Sequence, residues 1–366
     1  MKIFFSVHAG DSWGHVQRTI GVAQYLQSLG HDILFCSKNT VKNFVENHGV
    51  RFVSNEQTIG HTDLIGRNTL NQVQLICHSI SVETACIQEF SPDIIVRDPI
   101  MITNIPNLKK KCKVVCIPNA TYLHFLHDTS CFSLEVREYM QNKIMSMINS
   151  VRYQFGESHI RYSEVFTRAD KVILAGIKSF DLNNAIADST EFVGYHGNIS
   201  TSLPSDNGKT CFIALGTGIK SPELISTVLE RCRNRFDKIY LSCGRFIDPS
   251  LFSEFQNVVV KKFWDNIPIV DLVISHGGWG TTQQCLILGL KQLVIPWHLD
   301  HYVQGHNLTR TNSGFWLEGT ISDMQIIPDF SKFDSLIEKA LESSPDRVDF
   351  YGFKNNLPLF ADTILN

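Results

Sequence analysis

Asp271-Leu272-Val273-Ile274-Ser275-His276-Gly277-Gly278-Trp279-Gly280-Thr281-Thr282 is the stretch on which the fold turns. Its apolar start reads as a buried strand that ends at His276, and its hydroxyl residues open the next helix. Three glycines between the two let the backbone come close to a ligand. A helix start leaves about four N–H groups pointing outward with a partial positive charge. A diphosphate suits that geometry, and Thr281 and Thr282 add hydroxyl donors. Taken by itself, the same turn is equally a tight strand-to-helix connection that needs glycine only for its backbone.

Outward from this turn the same texture repeats. Strand-like runs stand at Cys211-Phe212-Ile213-Ala214-Leu215, Ile239-Tyr240-Leu241, Val258-Val259-Val260 and Leu293-Val294-Ile295, with helical stretches over 222–236 and 282–288. The first half opens with the strand Ile3-Phe4-Phe5-Ser6-Val7. A helix follows, in which Val16, Ile20, Ala23 and Leu26 share one face. Strands at Asp32-Ile33-Leu34-Phe35-Cys36 and Arg51-Phe52-Val53 bracket a second helix, and further runs come at Ile94-Ile95-Val96, Val114-Val115-Cys116-Ile117 and Val172-Ile173-Leu174. Such alternation predicts an α/β fold with parallel sheets covered on both faces. The glycines, Pro204 and Ser/Asn residues near 193–210 mark a linker. The expectation is two Rossmann-like, doubly wound domains, 1–195 and 209–345, joined by a linker over 196–208. A tail over 346–366, with Phe350, Tyr351, Phe353 and Phe360, packs back toward the first domain. Ligands of such sheets sit at the carboxyl ends of the strands, so a cleft between the domains would join two such edges. Leu215-Gly216-Thr217-Gly218 and Pro296-Trp297-His298-Leu299-Asp300-His301 are also turns at strand ends, expected on the same rim as His276.

At ~150 residues per domain, 366 residues agree with two. With 43% hydrophobic and 19% charged residues the chain belongs with folded proteins rather than disordered ones. A net charge of −3 argues against a nucleic-acid partner. No apolar run approaches the ~18 residues of a membrane span, and Ile3-Phe4-Phe5-Ser6-Val7 is too short for a signal peptide. Lys109-Lys110-Lys111 could touch anionic lipid, which makes membrane contact peripheral at most; a solvated connection is the plainer reading. Ten cysteines scattered through apolar segments read as reduced thiols, and the expected location is cytoplasmic. No feature of the sequence fixes an oligomeric state.

The segment 264–316 resembles the nucleotide-sugar signature of GT-B glycosyltransferases, especially glycosyltransferase family 1 and its relatives. That pattern runs Trp, His-x-Gly-x-x-Ser/Thr, Pro, Asp/Glu-Gln, Asn and Gly, and here it reads Trp264, His276, Gly278, Thr281, Pro296, Asp300 and Gly314. The resemblance implies a GT-B fold and an enzyme that transfers a sugar, of hexosyltransferase type, from a nucleoside diphosphate sugar, uridine or thymidine based. By it, His276 and the backbone of Gly280, Thr281 and Thr282 hold the diphosphate, and Gly216, Thr217 and Gly278 are expected among the donor-binding residues. Asp300 and its neighbour His301 face the sugar, and the surroundings of Trp264 receive the base. His301 stands where the pattern has Gln, and Gln304 where it has Asn.

In the first half, Gly14-His15-Val16-Gln17-Arg18 resembles the family's Gly-His opening, whose histidine deprotonates the acceptor. An imidazole titrates near working pH and suits a hydroxyl that must lose a proton as it attacks an anomeric carbon. His8 is the rival base; a cap on the helix start is the plainer role for His15. Asp98 ends a strand of the same half, and in plant-type relatives an acid there orients the histidine; a salt bridge to Arg97 or another basic group is its plainer role. Arg18 departs from transferases that carry proline there and resembles nucleotide-sugar hydrolases of the same fold. The alternatives are therefore a hydrolase, with water as nucleophile, and a non-catalytic nucleotide-sugar-binding subunit. Phe125, Phe132, Tyr139, Met140, Met145 and Met147 read most plainly as one or two packed helices; in the resemblance this region shapes the acceptor pocket, which implies a partly apolar, small-molecule or lipid-like acceptor.

Three signals are set aside. His298, Asp300, His301 and His306 could be imagined around a metal, but the family resemblance implies a reaction without metal or other cofactor. Gly208-Lys209-Thr210 ends like a P-loop, yet Leu203 stands where its first glycine belongs. Cys112 and Cys116 fall on one side of a strand and read as core residues.

Overall fold

Strands that are apolar on both faces need helices above and below them, and the chain meets that need twice. The computed structural model describes residues 1–7, 14–56, 69–98, 112–118, 124–125, 131–167, 169–181, 190–194, 208–264, 266–322, 325–344 and 356–366. They form two compact units.

The first unit comprises Met1–Lys178, Leu182–Gly197 and Gly352–Asn366. Its strands are β1 (Lys2–Val7), β2 (Asp32–Ser37), β3 (Arg51–Ser54), β4 (Ile94–Asp98), β5 (Lys113–Cys116), β6 (Lys171–Leu174) and β7 (Thr190–Phe192). They make one parallel sheet in the order β3-β2-β1-β4-β5-β6-β7, with Ile3 paired to Ile33 on one side and Ile94 on the other. Around it lie α1 (Gly14–Ser28), α2 (Lys42–Asn47), α3 (Thr69–Phe90), α4 (Leu134–Gln154) and α5 (Tyr162–Thr167). Val16, Ile20, Ala23 and Leu26 of α1 are buried together, as their spacing requires.

The second unit comprises Ser179–Asp181 and Asn198–Tyr351. The short helix α6 (Lys178–Asp181) contributes its last three residues to it. A six-stranded parallel sheet runs β10-β9-β8-β11-β12-β13, built from β8 (Thr210–Ala214), β9 (Lys238–Ser242), β10 (Val258–Lys261), β11 (Leu272–Ser275), β12 (Gln292–Val294) and β13 (Phe315–Trp316). β13 carries too short an apolar signal to be read from sequence; only its pairing with β12 defines it. The helices are α7 (Pro222–Cys232), α8 (Trp279–Leu288), α9 (Leu299–Arg310) and α10 (Phe333–Glu342). α8 begins three residues earlier than the helix expected at 282, because Gly278 adopts the extended N-cap conformation (φ −62°, ψ 138°).

The last helix, α11 (Leu357–Leu365), belongs to the first unit, where Phe360 is buried and Lys113 Nζ donates to the Ile364 carbonyl at 3.1 Å. Of the expected linker 196–208 only Gly208 is described; Phe350, Tyr351 and Phe353 also lie outside the described residues. Among the described residues no helix is long and apolar enough to cross a membrane.

Both sheets reverse their strand order once, between β1 and β4 in the first and between β8 and β11 in the second. At such a reversal the loops leaving the two strands diverge to opposite faces and open a crevice at the carboxyl ends. The residues following β1 and ending β4 include His15 and Asp98. Those following β8 and β11 include Gly216, Thr217 and His276.

Candidate active site

In the first unit, Asp98 is the last residue of β4 and is wholly buried. His15 enters α1 at its second residue, and its Nδ1 lies 2.8 Å from Asp98 Oδ1. A carboxylate can only accept, so in this bond Nδ1 carries the hydrogen, and in the neutral ring the lone pair is then on Nε2. Arg18, one turn further along α1, donates from Nε to Asp98 Oδ2 at 2.9 Å and from an Nη to Oδ1. Burial pushes the Asp98 carboxyl up, but Arg18 and His15, through charge and hydrogen bonds, outweigh it and hold the group below the ordinary aspartate value. The basic group paired with Asp98 is therefore Arg18 and not Arg97, whose neighbouring position on β4 turns it to Glu83 of α3, 2.8 Å away. His8 and Gly10 to Trp13 lie outside the described residues, as does the basic run at 109–111. Of the aromatic and methionine-rich stretch, Phe125 and Phe132 pack with ring centroids 5.0 Å apart. Met140 and Met147 of α4 are buried, and Tyr139 is exposed.

In the second unit the His276 ring settles on glycine. Gly216 has φ +102° and Gly277 φ +84°, both left-handed conformations that side chains rarely adopt. A Cβ at Gly216 would stand 3.2 Å from His276 Nε2, and one at Gly278 would collide with the same atom. His276 Nδ1 donates to the Ala214 carbonyl at 3.2 Å, which fixes the hydrogen there. Burial, helped by the charge of His298, lowers the His276 pKa below the ordinary imidazole value against opposing pulls from the Ala214 carbonyl and Asp300. The ring stands edge-on to His301 with centroids 4.5 Å apart, and His301 is itself buried. Asp300, in the first turn of α9, is 42% exposed and lies 3.7 Å from His301 Nε2.

At the start of α8 the first intrahelical donor is Thr282, whose N–H reaches the Gly278 carbonyl at 3.0 Å. The N–H groups of Gly280 and Thr281 precede it and belong to the turn whose donors point off the helix end. Thr281 is partly exposed. Thr282 is wholly buried, and its Oγ1 has no hydrogen-bond partner among the described residues. The hydroxyl of this pair that solvent can reach is therefore that of Thr281. The Thr217 carbonyl accepts the Arg245 N–H at 3.2 Å, tying the loop after β8 to the loop after β9. Trp264 donates from Nε1 to the Leu241 carbonyl at 3.0 Å, packs edge-on to Tyr240, and has Lys261 Nζ 4.4 Å above its ring. Among the described residues no three His, Cys, Asp or Glu converge as metal ligands, those of the His298–His306 stretch included.

No family model matches the chain. An uncharacterised glycosyltransferase of Methanosarcina acetivorans is 23% identical to it over 340 residues, covering 86% of this chain and 82% of the relative. The calicheamicin glycosyltransferase CalG4 superposes with a TM-score of 0.67 at 16% identity, over 100% of this chain and 94% of CalG4. The Streptomyces sp. SF2575 glycosyltransferase SsfS6, solved with thymidine diphosphate, gives 0.61 at 14% identity, over 100% and 96%. The protein is a glycosyltransferase of the GT-B fold.

Two groups in this glycosyltransferase were not read as partners from its sequence. Arg18 was noted only for its departure from the family's proline, although its position three residues beyond His15 puts both on one helix face. Asp181 carried no motif at all. It is buried in the second unit, where Gln283 Nε2 donates to it at 3.1 Å and Gln304 Nε2 lies 3.5 Å away.

Proposed function

We propose that this glycosyltransferase moves a sugar from a uridine or thymidine diphosphate sugar to a hydroxyl of a small, partly apolar acceptor. In this reading the anomeric carbon is inverted and no metal takes part. The observation that carries the reading is the His15–Asp98 hydrogen bond of 2.8 Å at the strand-order reversal of the first sheet. It leaves His15 Nε2 as a base whose orientation is set. Nε2 takes the acceptor's proton as the acceptor oxygen bonds to the anomeric carbon. The carbon–oxygen bond to the diphosphate breaks on the opposite face, and its electron pair leaves with the phosphate. One displacement of this kind inverts the carbon.

His276, the N–H groups of Gly280 and Thr281, and the Gly216-Thr217 turn hold the departing diphosphate, and Asp300 binds sugar hydroxyls. Each well-placed donor to such a leaving charge is worth ~3–4 kcal/mol in the transition state, and a positioned base about 10²–10⁴ in rate. The thymidine diphosphate bound to SsfS6 supports the choice of donor class.

His15→Ala should lower transfer by about 10²–10⁴ while calorimetric affinity for the nucleoside diphosphate sugar stays the same. A chelator should leave the native rate intact. Native turnover in the His15→Ala protein would overturn the assignment. The Arg18 guanidinium on Asp98, in a Gly14-His15-Val16-Gln17-Arg18 opening like that of hydrolases, favours one second reading, in which water takes the acceptor's place. That reading requires sugar release at full rate with no acceptor present.

A further inference from the structure

Asp98 Oδ1 serves two donors, His15 Nδ1 at 2.8 Å and an Nη of Arg18, and that same Nη lies 3.0 Å from His15 Nδ1. Arg18 is 5% exposed, and its fork engages both oxygens of a carboxylate that solvent does not reach. His15 Nδ1 thus has an acceptor on one side and a permanent donor on the other. A hydrogen on Nδ1 satisfies Asp98 and leaves Nε2 as the base. A bare Nδ1 would accept from Arg18 and place the hydrogen on Nε2, which is then no base at all. The balance rests on how firmly Asp98 is presented to Nδ1.

We propose that Arg18 is a positioning residue for His15: its two-pronged grip fixes the Asp98 carboxylate against Nδ1. The inference rests on the reading of His15 as the base. A guanidinium does not titrate in proteins, so its charge is present at every pH at which the enzyme works. Among the described residues the charged groups facing His15 are Asp98 from β4 and Arg18 from α1 itself. Arg97 faces away, toward Glu83. The planar fork matches a carboxylate in a way that a lysine ammonium cannot, so charge and grip are separable by substitution.

The test uses the full-length protein with Arg18→Met and Arg18→Lys. Transfer is followed across the titration range of imidazole, together with nitrogen NMR of the His15 ring. Without the fork, in Arg18→Met, kcat should fall at least about tenfold, and the ring spectrum should show the hydrogen shared between the two nitrogens instead of held on Nδ1. Arg18→Lys keeps the charge and loses the second prong, so kcat should still fall about tenfold. Should Arg18→Met fail to fold, Arg18→Lys carries the test, and a native kcat in that variant overturns the proposal. A native kcat and an unchanged ring spectrum in folded Arg18→Met also overturn it, leaving Arg18 a structural ion pair. If the native protein transfers no sugar yet the ring spectrum changes on Arg18→Met, the catalytic reading of His15 falls and the hold of Arg18 on the ring stands.

Discussion

His276 ought to make donor binding depend on pH, and in a direction its surroundings dictate. Its Nδ1 faces the Ala214 carbonyl at 3.2 Å, and a carbonyl cannot donate, so the hydrogen is on Nδ1. Burial, with His298 nearby, keeps the pKa below the ordinary value, so near neutrality Nε2 is a bare lone pair. That atom looks over Gly216 and Gly278, where the proposed diphosphate lies. A lone pair repels phosphate oxygen; the contact becomes favourable once Nε2 takes up a proton. An anion at hydrogen-bond distance typically raises an imidazole pKa by ~1–3 units, and each unit is tenfold in affinity. The free protein therefore holds fewer protons than the complex. Binding takes up a proton, and affinity rises as pH falls, by a total of about 10–10³. The window runs from the raised value in the complex down to the lowered value in the free protein. A nucleoside diphosphate sugar is the right probe, because its phosphates each keep one charge across this range and proton uptake then belongs to the protein. Titration calorimetry in two buffers of different ionisation enthalpy should find uptake of up to one proton, absent in His276→Ala. No uptake in the native protein, or equal uptake in His276→Ala, would refute the argument.

Two further substitutions test the frame around these sites. Gly278→Ala puts a methyl group into His276 Nε2, so the ring must swing away; donor affinity should drop at least about tenfold, and native affinity by calorimetry would contradict the packing. Arg97→Met removes the guanidinium that faces Glu83 inside the first unit, where the pair is no more than 4% exposed, and should cost about 3–5 kcal/mol in a denaturant melt. Arg97→Met with Glu83→Leu should regain most of that stability. A double variant no more stable than the single one would show that packing, not uncompensated charge, is lost.

The two sheets were legible because buried parallel strands write themselves as short apolar runs at regular spacing, and Ile3-Phe4-Phe5 or Leu272-Val273-Ile274 admit little else. The glycine turns at strand ends were legible for a related reason: glycine and threonine there mark a backbone that must bend and stay open. Boundaries were harder. Trp279 and Gly280 look like loop residues in sequence, yet they sit inside α8, because Gly278 caps the helix and tertiary packing carries a poor helix former such as Gly280. The burial of Thr282 follows from the same shift, since the helix period then turns its side chain inward.

Pairings between distant residues were the least legible part, for a physical reason that Asp98 and Asp181 share. A carboxylate at a strand end can be met by any cation its sheet brings near, and adjacency in sequence is a poor guide, since Arg97 must point to the opposite face from Asp98. Which cation arrives depends on how α1 lies on the sheet, and that is decided by Val16, Ile20, Ala23 and Leu26, not by charge. Asp181 goes further, for its acceptors are met by amides from two other helices, Gln283 and Gln304. In family terms Gln304 is a departure from asparagine. One extra methylene lets its amide come within 3.5 Å of Asp181, at the limit of a hydrogen bond, so the departure has a structural use inside the second unit. A substitution away from a family pattern is therefore weak evidence of a changed reaction until the partner it reaches is known, and for Arg18 that partner is the buried carboxylate of Asp98.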